Sequence, residues 1–154
     1  MCDTFFDVRA FGAVMNTGDK KAGQVRGPIQ MSFARSIIPV DFIEHSITRC
    51  AVTTEKESEK QDGLNQTMGN KHSVSYGLYC LKIYINPFFA EKTGFTEKDL
   101  DMFREALCNM FEYDRSSSRG SMSPVACLAF KHENKLGNAR ADQLFSRVSV
   151  TPVD

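Results

Sequence analysis

Three histidines each stand beside a charged residue: His45 next to Glu44, His72 next to Lys71, and His132 next to Glu133. An imidazole titrates near neutral pH and could act as a general base. A base needs a nucleophile to activate, and no nucleophile elbow or catalytic-cysteine signature accompanies any of the three. Without such a partner each reads as a surface or hydrogen-bonded structural residue. The turn Gly18-Asp-Lys-Lys-Ala-Gly23 faintly resembles a phosphate-binding loop but lacks the order Gly-x-x-x-x-Gly-Lys-Ser/Thr. The five cysteines (Cys2, Cys50, Cys80, Cys108 and Cys127) contain no Cys-x-x-Cys and stand at no zinc-ligand spacing from the histidines. They read as reduced, mostly buried thiols, so no catalytic residue, metal or cofactor is expected. A small hydrolase stays open as a class, without positive support.

Nucleic-acid chemistry has more to work with. Between Asn16 and Arg35 stand Lys20, Lys21, Arg26 and Arg35 against Asp19 alone. Residues 63–84 hold Lys71, Lys82 and His72 with no acid, and Tyr76 and Tyr79 lie close by. Cations on a strand face can follow a phosphate backbone while aromatic and Met side chains stack on or wedge between bases. A neutral protein also shows such local excesses by chance, and the acidic stretch Glu55-Lys-Glu-Ser-Glu59 argues against phosphate contact there. Composition alone leaves both readings open.

The elements that would position these residues follow from pattern. The 154 residues, 42% apolar and with 19 basic against 19 acidic side chains, fit one domain over 1–154 and argue against global disorder. Zero net charge argues against binding nucleic acid by bulk electrostatics but permits a local basic groove. No apolar run is long enough to span a membrane, and the acidic N-terminus is no signal peptide, so a cytoplasmic location is expected. Residues 5–15 alternate as a strand, with Gly12 marking a bulge or a close backbone approach. Pro28 to Pro39 alternates as a second strand, antiparallel to the first, with Ile29, Met31 and Phe33 on its buried face. The polar stretch 53–73 carries only Leu64 and Met68 as strong apolar residues, so it reads as a protruding loop between hairpin arms 46–52 and 74–85. Thr96-Glu-Lys-Asp99 caps a helix whose stripe is Leu100, Phe103, Leu107, Met110 and Phe111. A strand over 123–130, a short helix over 139–147 and a last strand over 148–151 complete an α+β fold with an antiparallel sheet.

The segments Phe6-Asp-Val-Arg-Ala-Phe-Gly-Ala-Val-Met15, Gly23-Gln-Val-Arg-Gly-Pro-Ile-Gln-Met-Ser-Phe-Ala-Arg-Ser36 and Glu44-His-Ser-Ile-Thr-Arg49 carry a resemblance that composition does not. So do Thr67-Met-Gly-Asn-Lys-His-Ser-Val-Ser-Tyr-Gly-Leu-Tyr79 and Phe130-Lys-His-Glu-Asn-Lys-Leu-Gly-Asn138. Together they are similar, in order and over nearly the whole chain, to the backbone subunit of type I CRISPR Cascade in its type I-C and I-B branch. The resemblance implies a partial RRM-like (ferredoxin-like) antiparallel palm with a protruding thumb hairpin. It also implies a non-catalytic protein that binds CRISPR RNA. Its partners would be neighbouring copies of itself and other Cascade subunits, with target DNA reached through the guide and no membrane. The loop at 53–73 corresponds to the thumb. Charge and placement within the matching motifs single out Gln24, Arg26, Arg49, Lys71 and His72 for RNA contact, with Met68 as the thumb's wedge.

Members of that family run to nearly twice this length, and the similarity begins well inside their usual sequence. The expectation is therefore a form truncated at the N-terminus. An alternative is a mimic carried by a mobile element, which binds a neighbouring subunit and terminates the filament because one of its two contact patches is missing.

Overall fold

The computed structural model describes residues 1–15, 23–49, 67–117 and 119–151. Its fold is α+β. Strands pair two by two, all antiparallel, and short helices accompany them. The chain divides into two compact units, one formed by Met1–Ala34 with Leu81–Asp154 and the other by Arg35–Cys80.

In the first unit, helix α1 (Phe6–Phe11) runs into strand β1 (Gly12–Met15), which pairs with β2 (Gly23–Arg26). Strand β3 (Ile29–Met31) pairs with β8 (Ile83–Ile85), and helices α2 (Pro87–Thr93), α3 (Glu97–Asn109) and α4 (Ala141–Phe145) follow. The buried centre is Ala10, Ile29 and Phe103, with Phe6, Ile83, Phe95 and Leu107 packed around it. Helical spacing puts Phe6 and Ala10 on one face of α1. Arg9 then reaches α3, where its guanidinium forms a two-point ion pair with Asp99 (2.6 and 3.2 Å) and donates to the Cys2 carbonyl. Asp99 is also the third residue of the α3 capping box. Its carboxylate accepts from the Thr96 backbone N–H and hydroxyl, and its own N–H donates to Thr96 Oγ1.

Gly12 and Gly27 cross with their backbones in contact. A Cβ on Gly27 would lie 2.4 Å from the Ala10 carbonyl oxygen, and one on Gly12 would lie 2.4 Å from the Val25 carbonyl oxygen. The close approach expected at Gly12 is thus present, and it ties the end of α1 to the turn between β2 and β3.

Several expected elements differ. The alternation over residues 5–15 is strand only from Gly12 onward, because Ala10 and Arg9 anchor the preceding turn and a half stronger than a short period-two pattern can resist. The partner of β1 is β2, not the segment starting at Pro28. Within Pro28–Pro39 only Ile29–Met31 and Arg35–Ser36 are strand, and Met31 and Phe33 are exposed rather than buried with Ile29. Residues 123–130 and 148–151 form no strand, and the helix expected over 139–147 is confined to Ala141–Phe145. Among the described residues Cys2, Cys80, Cys108 and Cys127 are free thiols, but the last three are exposed and Cys2 is half-buried, so they do not fill a core; Cys50 lies outside the described residues. Helix α2 went unforeseen, although Asn86 as cap and Pro87 at its first position are the standard start signals.

The second unit is built on a hairpin. Strand β4 (Arg35–Ser36) pairs with β7 (Tyr79–Cys80), and β5 (Phe42–Arg49) pairs with β6 (Thr67–Val74) over eight residues. Pro39, which has no N–H to donate, lies in the interruption between the two ladders. The described hairpin arms are thus 42–49 and 67–74, where 46–52 and 74–85 are expected; residues 50–52 lie outside the described residues. Polar residues 67–73, expected in the protruding loop, extend the ladder instead. Both faces of this ribbon are largely exposed, so pairing there does not require apolar alternation. The rest of the expected loop, 53–66, lies outside the described residues.

Candidate functional site

The β5–β6 ribbon carries four of the six residues singled out for RNA contact, and its register separates them. His45 stands opposite Lys71, Glu44 opposite His72, Thr48 opposite Met68 and Arg49 opposite Thr67. Successive residues of a strand point to opposite faces, so Lys71 shares a face with His45 while His72 and Met68 share the other. Lys71 and His72 therefore do not converge. Glu44 lies on the His72 and Met68 face, hydrogen-bonded by the Asn70 amide. On the opposite face the His45 ring Nε2 lies 2.9 Å from the Ser73 hydroxyl. The Lys71 face suits phosphate better, because the other carries a carboxylate. Met68 is well exposed, as a wedging side chain must be.

Gln24 and Arg26 belong to the other unit. They alternate on β2, so both project from the same side of the β1–β2 pair. The Arg26 guanidinium lies over the Phe89 ring, 4.8 Å from its centroid, and the Lys92 ammonium lies 5.9 Å from the same ring. A cation–π contact holds a guanidinium at an aromatic face without using its N–H donors. The contact between Gly12 and Gly27 fixes the backbone immediately after Arg26.

A cleft of about 490 Å³ opens beside Arg26, walled by Gln30, Tyr84, Phe88, Phe89 and Lys135. Gln30 and Tyr84 are direct partners across β3–β8 and so share a face, while Ile29 is buried on the opposite one. Asn86 caps α2 by accepting from the Phe88 and Phe89 amides (2.9 and 3.4 Å), which sets where both rings begin. Tyr84 meets Phe145 edge-on, with centroids 5.5 Å apart, so α4 buttresses that wall. On the rim, Lys135 pairs with Glu91. Its turn is closed by Asn134 Oδ1, which accepts from Leu136 N and Gly137 N. His132 serves the same turn, its Nδ1 accepting from the Asn138 amide at 2.9 Å. It is a hydrogen-bonded structural residue.

The strongest electrostatic perturbation lies at the Arg9–Asp99 pair. The Arg9 hydrogen bond holds the Asp99 carboxyl far below its ordinary range, against the opposing effect of burial and with help from Thr96. Asp99 in turn raises Arg9. Both carboxylate oxygens are engaged, so the pair is a structural clamp rather than a proton shuttle. Among the described residues no group of His, Cys, Asp and Glu is placed to hold a metal ion.

The family model described as CRISPR-associated protein Cas7 matches residues 1–154. The chain belongs to the Cas7 family. No curated protein matches it. A Cas7 chain is CRISPR-associated by that description, and the cations and aromatic rings described above are the side chains through which such a protein could hold nucleic acid. Of the six residues singled out for contact, membership tests none individually. The structure distributes them over a two-faced ribbon and one strand of the other unit. The sequence pattern missed Phe88, Phe89 and Tyr84, which only the tertiary fold brings beside Arg26.

Proposed function

We propose that this protein is a non-catalytic, CRISPR RNA-binding backbone subunit of a type I Cascade complex, of the type I-C and I-B branch. The Cas7 family match over residues 1–154 carries the reading. In it, the first unit belongs to an RRM-like palm and the protruding segment 53–73 is the thumb that reaches a neighbouring copy. Partners are the CRISPR RNA, adjacent copies and other Cascade subunits, and target DNA is engaged through the guide. The site is cytoplasmic; no helix among the described residues is long and apolar enough to cross a membrane.

RNA contact falls to Gln24, Arg26, Arg49, Lys71 and His72, with Met68 as the wedge. The reading needs these cations to meet phosphate, so binding must depend on salt. Binding of single-stranded RNA across a salt series is the test. Arg26→Ala and Lys71→Ala should each weaken binding for every sequence and flatten the logarithmic salt slope by about 0.7 to 1. A slope unchanged in both variants would remove them from the interface, and a wild-type protein that binds no RNA would end the proposal.

A further inference from the structure

The cleft beside Arg26 brings cations and exposed aromatic rings together. Its volume of about 490 Å³ falls within the roughly 300–1,000 Å³ of ligand pockets. Arg26 and Lys135 line it, Lys135 paired with Glu91 on the rim, and the Lys92 ammonium lies over the Phe89 ring of its wall; no carboxylate is among the lining residues. The Arg26 side chain makes no hydrogen bond among the described residues. Its guanidinium lies over the Phe89 ring, 4.8 Å from the centroid, with its donors available to an anion. Phe89 is already covered by cations, but Phe88 is 46% and Tyr84 44% exposed, and Phe88 has no ring partner among the described residues. Gln30 donates to the Gly27 carbonyl at 3.2 Å, which leaves its amide oxygen to accept a base edge.

We propose that this cleft seats one unstacked base of single-stranded RNA, stacked on Phe88 with Tyr84 as the second wall, and that Arg26 holds the phosphate of the same nucleotide. The inference rests on the RNA-binding reading and adds to it a base-stacking subsite. Rings and cation divide the work: stacking supplies a contribution independent of salt and of base identity, and the guanidinium supplies the salt-dependent one.

The experiment is fluorescence titration of the full chain with a short single-stranded RNA carrying one 2-aminopurine, repeated across a salt series. Wild-type protein should quench the probe on binding. Phe88→Ala should weaken binding about ten-fold at every salt concentration with the slope unchanged. Phe88→Leu, which keeps apolar bulk but no π-face, should lose nearly as much, and Phe88→Trp should retain binding. Tyr113→Ala, an exposed ring outside the cleft, should behave as wild type. If Phe88→Ala, Phe88→Leu and Tyr84→Ala all bind RNA as tightly as wild type, the cleft is not a base seat, while RNA binding itself stands. That result would favour a protein occupant instead. If the wild type binds no RNA, both readings fall.

Discussion

Gly27→Ala is a small change that this structure makes severe. A Cβ there would lie 2.4 Å from the Ala10 oxygen, 2.4 Å from the Phe11 carbonyl carbon and 2.5 Å from the Gly12 nitrogen, all of them backbone atoms. A Cβ contact below about 3 Å cannot be relieved by rotating a side chain, so α1 and the β2–β3 turn would have to separate. Ordinary overpacking costs about 1–3 kcal/mol, and three simultaneous backbone overlaps put this variant at or above about 3 kcal/mol. Gly94→Ala is the comparison. Nothing lies within 4 Å of its Cβ, but φ is +75°, so only left-handed strain applies, at about 1–2 kcal/mol. At about 2–4 °C per kcal/mol for a chain of this size, Gly27→Ala should lower the thermal midpoint by about 6–12 °C or abolish the transition. Gly94→Ala should lower it by about 2–8 °C. Thermal unfolding followed by circular dichroism checks both. A Gly27→Ala protein as stable as wild type would refute the crossing and the placement of Arg26 that depends on it.

The pH dependence of stability follows from Asp99. Its carboxyl titrates lower in the folded protein than in the unfolded chain, chiefly because Arg9 hydrogen-bonds its charged form. The contribution is therefore complete above the unfolded value of about 3.9 and is lost as pH falls through the folded value. Denaturant midpoints measured downward from about pH 5 should drop in the wild type and drop less steeply in Asp99→Asn; parallel curves would assign acid sensitivity elsewhere. Labelled RNA incubated with purified protein should remain intact with or without Mg²⁺. Cleavage that tracks the native protein and vanishes from a heat-inactivated control would move the protein into the enzyme class.

Local signals revealed what local physics determines. Thr96, Asp99 and the stripe through Phe103 identified α3, because cap and amphipathic face both lie within a few turns of sequence. The same logic failed on 6–11 and 123–130, where short alternation resembles a strand. Only the distant Asp99, or the lack of a pairing partner, determines the outcome there. Charge and motif placement single out both Lys71 and His72, yet strand geometry turns these adjacent residues to opposite faces. Arg26 was legible as a cation. Its stacking on Phe89 joins residues far apart in the chain, and no period or motif encodes it.

The antiparallel pairs are nested. Ile29 with Ile85 encloses Arg35 with Cys80, which encloses Phe42 with Val74. Closing the outermost pair directly would mean finding one partner across a long open chain before any inner contact offsets the lost entropy. Once β5 and β6 have joined, only short connections remain to be closed, and each halving of an open loop removes about 0.6 kcal/mol of closure cost. Assembly should thus run from the inside outward, with β3 and β8 joining last. A weakened hairpin would then slow folding more than it hastens unfolding, readable in the two limbs of a chevron plot. Gln30 and Tyr84 face each other only across that last pair, so the Arg26 cleft would be among the final features of the molecule to form.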